Sequence, residues 1–453
     1  MRSFNRLSRR DLLRLSTFAS LGVSSSGWLK SLAHAAETSG NEKPKRSCIL
    51  LWMSGGPAQT DTFDPKPEHE NGGEFSTIQT SVPGIQIGEH LPELAKRAGD
   101  LAIIRSMATK EGDHSRATYL MRTGYLPQGP IQYPTLGSVL SRELGADGGE
   151  LPNFVSVAPN RFVNPRAFGP GFLGPAYAPL VVGEGGAPGA GPDGEMNAAA
   201  SLQVRNLSER EGLASGQTDA RLSLLNLLED DFQAARPDIT VTSHRKAYEQ
   251  AVRMMRGSAA KAFDLADESD ELRTKYGNTQ FGQGCLLARR LVECGVPFVE
   301  VTLNAVPDQN VLGWDTHQNN FESVKSLCGV LDPAWSTLID DLKDRGLLDS
   351  TTIVWMGEFG RTPKINENNG RDHFPAAWST VLCGGGIRGG QVIGASSPDG
   401  MTVADRPINT PNLIATVCKA VGLDPEAQNM SNIGRPIPLA DHGADVIEEV
   451  LAG

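Results

Sequence analysis

None of the six cysteines (Cys48, Cys285, Cys294, Cys328, Cys383, Cys418) stands in a CxxC or CxxH spacing, so the chain lacks the ligand pattern of a structural zinc site. Cys48 and Cys383 sit inside apolar runs and read as small core residues. Cys285 and Cys294 fall on opposite sides of a predicted helix, and no disulfide pairing follows from the spacing. The chain also lacks a membrane-spanning run. The apolar stretch 15–32 is broken by Ser24, Ser25, Ser26 and Lys30, which makes it too polar to cross a bilayer. A surplus of positive charge is missing as well. The net charge is -11, and the first 35 residues hold six Lys/Arg and one Asp. The remainder carries 36 basic against 52 acidic residues, a net of -16, which argues against nucleic acid or anionic lipid as partner while leaving room for a local cationic pocket. Gly (50) and Pro (29) are numerous but follow no fixed period, which points to long ordered loops and excludes a collagen-like chain.

Leu7-Ser8-Arg9-Arg10-Asp11-Leu12-Leu13 is a twin-arginine pattern, and Ala33-His34-Ala35 offers a small-x-small cleavage site. Residues 1–35 are therefore expected to be a signal peptide and 36–453 a single domain, periplasmic or secreted. The twin-arginine route carries folded chains, often with a metal or cofactor already loaded.

Beyond the leader, short apolar runs alternate with helical periodicity. Strands are expected at 48–53, 101–107, 154–159, 297–303, 351–355 and 378–383, and helices at 91–98, 117–122, 134–144, 280–294, 321–345 and 410–421. This order predicts an α/β fold with a mostly parallel central sheet and helices on both faces. Residues 160–215 form a Gly/Pro-rich excursion, and 216–278 carry the three- and four-residue apolar spacing of a helical insertion, with His244 on its solvated face.

The chemistry-bearing residues follow the strands. Asp61 lies after the first, beyond Ser54-Gly55-Gly56-Pro57, whose small residues would let a ligand approach the backbone. Asp113, His114, Ser115 and Arg116 follow the second and open a helix, where Asp113 or Ser115 would cap and the amides would favour an anion. Asp315 and His317, two apart, project the same way if extended. Glu358 and Arg361 follow the strand at 351–355, with His373 beyond. Open α/β sheets place ligands at these strand ends. Three histidines with carboxylates are the ligand set of a divalent metal, Zn, Mn, Mg or Ca, able to activate water against an ester.

The runs SGGPAQTDTFDPKP, HLPELAKRAGDLAIIRSM, GWDTH, GEFGRTP and GRDHFPAAWSTVLCGGGIRGGQVIG, together with the twin-arginine start, resemble the bacterial family called domain of unknown function 1501. That family is grouped by resemblance with the alkaline phosphatase and sulfatase superfamily. The resemblance implies an alkaline-phosphatase-like fold and a hydrolase of phosphate or sulfate esters, on a small molecule or a polysaccharide. Carried over by motif, Asp61, Asp315, His317, Glu358 and His373 would hold metal and Arg361 would steady the anion. His114 would act as ligand, acid/base or nucleophile, with Ser115 and Arg116 at the substrate. His114 stands where the superfamily carries its hydroxyl or thiol nucleophile, and Phe359 where it carries a histidine. The alternative is a catalytically degenerate secreted binding or assembly protein. A carbohydrate-active enzyme using paired carboxylates would leave the histidines unexplained.

Overall fold

Apolar residues alternate along the strand Ser47–Met53 in a way that serves two cores at once. Ile49, Leu51 and Met53 join one buried cluster, and Cys48, Leu50 and Trp52 join another, so both faces of the strand are covered. The computed structural model describes residues 46–146, 148–183, 200–202, 204, 216–235, 239–306 and 312–452. The expected signal peptide, and much of the 160–215 excursion, lie outside the described residues.

Eight strands make the central sheet: β1 (Ser47–Met53), β2 (Leu101–Met107), β3 (Phe154–Val157), β4 (Leu180–Val182), β5 (Phe298–Leu303), β6 (Thr351–Gly357), β7 (Trp378–Gly384) and β8 (Gln391–Ile393). Their spatial order is β8-β2-β7-β6-β1-β5-β3-β4. Only β7 runs against its neighbours; every other pairing is parallel. The segment joining β6 to β7 contains no helix, and without a crossover a returning strand must run antiparallel. The edge strands β4 and β8 are only three residues long, too short for their apolar pattern to stand out in the sequence. Among the described residues the principal helices are α1 (His114–Thr123), α2 (Leu136–Leu144), α3 (Gln217–Ala235), α4 (Ile239–Arg256), α5 (Asp270–Tyr276), α6 (Gln280–Glu293), α7 (Asn320–Asp344) and α8 (Thr410–Ala420). Leu286 and Leu287 of α6 and Leu331, Trp335 and Leu338 of α7 pack on one face. Leu136 and Leu140 of α2 and Ile414 and Val417 of α8 pack on the other. The α/β architecture with helices on both faces is the one the patterning predicts. No helix among the described residues is long and apolar enough to cross a membrane.

Helix α1 is pinned from below. Glu300, buried in the middle of β5, is met by Arg122 of α1 and by the Ser156 hydroxyl at 3.2 Å. Arg122 also donates to the Ala167 carbonyl at 2.7 Å and lies over the Phe168 ring. A carboxylate in a central strand is tolerable only when paired in this way. The pairing fixes the helix whose first residue is His114.

Candidate metal centre

The ends of the three middle strands stand level, because Met53 pairs with Leu303 on one side and Gly357 on the other. The segments that leave this edge therefore meet. Gly55, two residues past β1, has φ +110°, and a Cβ there would sit 2.4 Å from the Asp315 nitrogen. Gly56, at φ +82°, presses the same way on the Phe359 carbonyl. The small residues after β1 thus admit the chain's own Trp314-Asp315 and Phe359 backbone, not a ligand.

A two-stranded hairpin then sets Arg361 directly opposite His373. The Arg361 guanidinium is fully buried and donates to the carbonyls of Gly55, Gly56 (3.1 Å) and Arg371 (3.3 Å), and to Asp315 Oδ1 at 2.5 Å. Asp113 caps α1 by accepting from the Arg116 amide at 3.0 Å, which turns His114 toward the same place.

Around Asp315 Oδ1 the three imidazoles gather, with His114 Nε2 at 3.2 Å, His317 Nε2 at 3.1 Å and His373 Nε2 at 3.2 Å. His114, Asp315 and His373 each place one ligand atom within 4.8 Å of the others, and His317 Nε2 lies 3.0 Å from that of His373. Each far nitrogen is taken: His114 Nδ1 by Glu358 Oε1 at 2.7 Å, His317 Nδ1 by Asp372 Oδ1 at 2.7 Å, and His373 Nδ1 by the Gly112 carbonyl at 2.8 Å. Acceptors on all three Nδ1 atoms leave the Nε2 lone pairs of the neutral rings turned inward, the arrangement that orients metal-bound histidines. His114 Nε2 is buried and lacks an aligned hydrogen-bond partner. An unmet polar atom there costs about 1–3 kcal/mol, which a cation would recover. The donor set fits a divalent ion. Exposure rises from His114, with 17% of its side chain open, to His317 with 44%, so the cluster opens to solvent on the His317 side.

Burial works against a charged His114, but Asp315 and Glu358 outweigh it and hold its pKa up at about 9. Burial likewise opposes ionised Asp315, yet the close Nε2 contacts of His114 and His373 and the Arg361 charge keep its carboxyl well below the usual range. The raised His114 value stabilises the metal-free fold fully below its ordinary pKa of 6.5, and that stabilisation is lost as pH rises through 9. Denaturant midpoints of metal-free protein should therefore fall between pH 6 and pH 10 by the equivalent of about 3 kcal/mol. His114→Gln should flatten the fall, and an unchanged slope in that variant would contradict the assignment.

Several residues expected at the site stand elsewhere. Asp61 is wholly buried and spends both oxygens on Arg371 (2.9 and 2.8 Å) and Asn320 (2.7 Å), so the structure does not bring it to the cluster. Glu358 meets His114 from behind, and its second oxygen is buried without a partner. Arg361, expected to steady the anion, spends four guanidinium contacts on backbone carbonyls and on Asp315, so it braces Asp315 from inside the fold. Arg116 points to solvent and pairs with Glu111 through two 2.7 Å contacts, while Ser115 lends its carbonyl to Asn164. Sequence reasoning assigned no role to the supporting shell: the Asp372 carboxylate, the Gly112 carbonyl and the Gly55 amide. Of these, only Asp372 left a signal, its place beside His373.

The sequence signature of a family described as "Protein of unknown function (DUF1501)" matches residues 45–451. No curated protein matches the chain by sequence. Among solved structures, the lipoteichoic acid synthase LtaP from Listeria monocytogenes is similar at 9% identity and a TM-score of 0.39, over 84% of this chain and 72% of that one. The PsFucS1 sulfatase from Pseudoalteromonas sp. is similar at 12% identity and a TM-score of 0.36, over 87% and 70% of the two chains. A protein in the alkaline phosphatase superfamily from Vibrio parahaemolyticus is similar at 13% identity and a TM-score of 0.35, over 89% and 76%. These likenesses are distant.

Proposed function

The chain belongs to the DUF1501 family, and we propose that it works as an exported, metal-dependent hydrolase of phosphate or sulfate esters. The observation that carries this reading is the convergence of three imidazole Nε2 atoms on one carboxylate oxygen, each ring held from behind by an acceptor. His114, Asp315 and His373 would hold the ion. Their nitrogen-rich donor set favours Zn, with Mn behind it, over the strictly oxygen-seeking Mg and Ca. When bound, such an ion supplies Lewis-acid polarisation of an ester oxygen and of water.

The chain's own residues do the rest. Arg361 locks the Asp315 carboxylate in place and keeps it ionised. His317, the most exposed of the three rings, stands at the mouth with Asp372 behind its Nδ1, so its Nε2 is placed to take a proton from an attacking water. Water is the nucleophile in this reading, because among the described residues no hydroxyl side chain is hydrogen-bonded to His114, Asp315, His317 or His373. The twin-arginine pattern at Arg9-Arg10 supports export of the folded chain.

Aryl phosphates and aryl sulfates, offered with and without Zn²⁺ or Mn²⁺, test the reading directly. Turnover should depend on metal, vanish with chelator and fall at least about 100-fold in His373→Ala, beyond the usual loss for an outer-shell change. A metal-loaded protein inert toward every ester would overturn it.

A further inference from the structure

We infer that Glu358 is a positioning residue for His114 and not a metal ligand, an inference that rests on the metal-site reading above. Its side chain is 2% exposed, and its Oε1 sits between two donors, the Gly55 amide at 2.9 Å and His114 Nδ1 at 2.7 Å. A carboxylate oxygen only accepts, so the nitrogen facing it carries the hydrogen. The bare nitrogen of the neutral ring is then Nε2, which lies 3.2 Å from Asp315 Oδ1 and, although buried, has no aligned hydrogen-bond partner. Glu358 thereby selects the tautomer that turns a lone pair toward the cluster. The Gly55 amide, held at φ +110° against the Trp314-Asp315 backbone, fixes the Glu358 rotamer in turn. The other two rings are oriented by a half-exposed carboxylate, Asp372, and by a backbone carbonyl. Only His114 relies on a buried side-chain anion. Glu358 itself stands outside the group of side chains whose ligand atoms converge.

The test compares Glu358→Gln and Glu358→Leu in the full chain by calorimetric titration with Zn²⁺. It also reads the histidine ring nitrogens of the Zn²⁺-loaded protein by long-range ¹⁵N NMR. The Gln carboxamide oxygen keeps both acceptor contacts, so Glu358→Gln should lose less than about 10-fold in affinity, and Glu358→Leu about 10–100-fold. Wild-type His114 should show its hydrogen on Nδ1. Glu358→Leu with wild-type affinity would overturn the inference. So would both variants losing binding altogether, the mark of a ligand. If Glu358→Leu fails to fold, the wild-type spectrum still decides, because a His114 hydrogen on Nε2 contradicts the inference. Wild-type protein that binds no Zn²⁺ would instead sink the metal reading on which this rests.

Discussion

Replacing Asp315 with Asn is expected to weaken divalent-metal affinity by more than about 100-fold, past the range of outer-shell losses, and to abolish any ester turnover. The reason is geometric and electrostatic together. One oxygen of Asp315 faces three imidazole nitrogens and the Arg361 guanidinium. It is the only carboxylate in the group whose ligand atoms converge. Asn preserves shape and can still accept from Arg361, so the fold should survive with a loss of about 1–3 kcal/mol. The separation of effects is the informative part: metal affinity collapses while the metal-free protein still folds cooperatively, its denaturation midpoint lowered by no more than that loss. A variant that keeps its metal would place the ion elsewhere.

The largest stability effect belongs to Arg371. Arg371→Met should destabilise the fold by about 3–5 kcal/mol, because it leaves the buried Asp61 carboxylate with Asn320 as its remaining side-chain donor. Chemical denaturation should show a lower midpoint with an unchanged slope. Removing both charges at once, as Asp61→Leu with Arg371→Met, should recover much of the loss, since a well-packed apolar pair avoids the desolvation that the ion pair must overcome. Asp61→Asn separates two accounts of that residue. As half of an ion pair it controls stability and leaves metal binding largely intact. As a ligand, the role its place after the first strand suggests, it would control metal binding.

The layout of the fold was legible because its signals are periodic. The apolar run at 48–53 and the helix ending at Thr123-Gly124 are local patterns, and Gly124 takes the left-handed conformation that a helix stop requires. The reversed β7 was not legible, since direction depends on what the preceding connection lacks. At the site, His114, Asp315, His317 and His373 could be picked out because each stands just beyond a strand or in the hairpin after one. Their roles were harder. Whether an acid beyond a strand binds metal, orients a histidine or neutralises a buried arginine depends on side-chain partners hundreds of residues away. Asp61 finds Arg371, and Glu358 finds His114. The SGGP run was read as room for a ligand, yet that room is filled by the chain itself, a long-range fact that local composition cannot carry.

Metal content of the purified full-length protein, measured by elemental mass spectrometry, is the most direct test of the central claim. The His114–Asp315–His373 cluster predicts roughly one Zn or Mn per chain, lost in Asp315→Asn and restored to stripped wild-type protein with a gain in thermal stability. A wild-type protein that folds normally, carries no metal and gains no stability from Zn²⁺ or Mn²⁺ would contradict it.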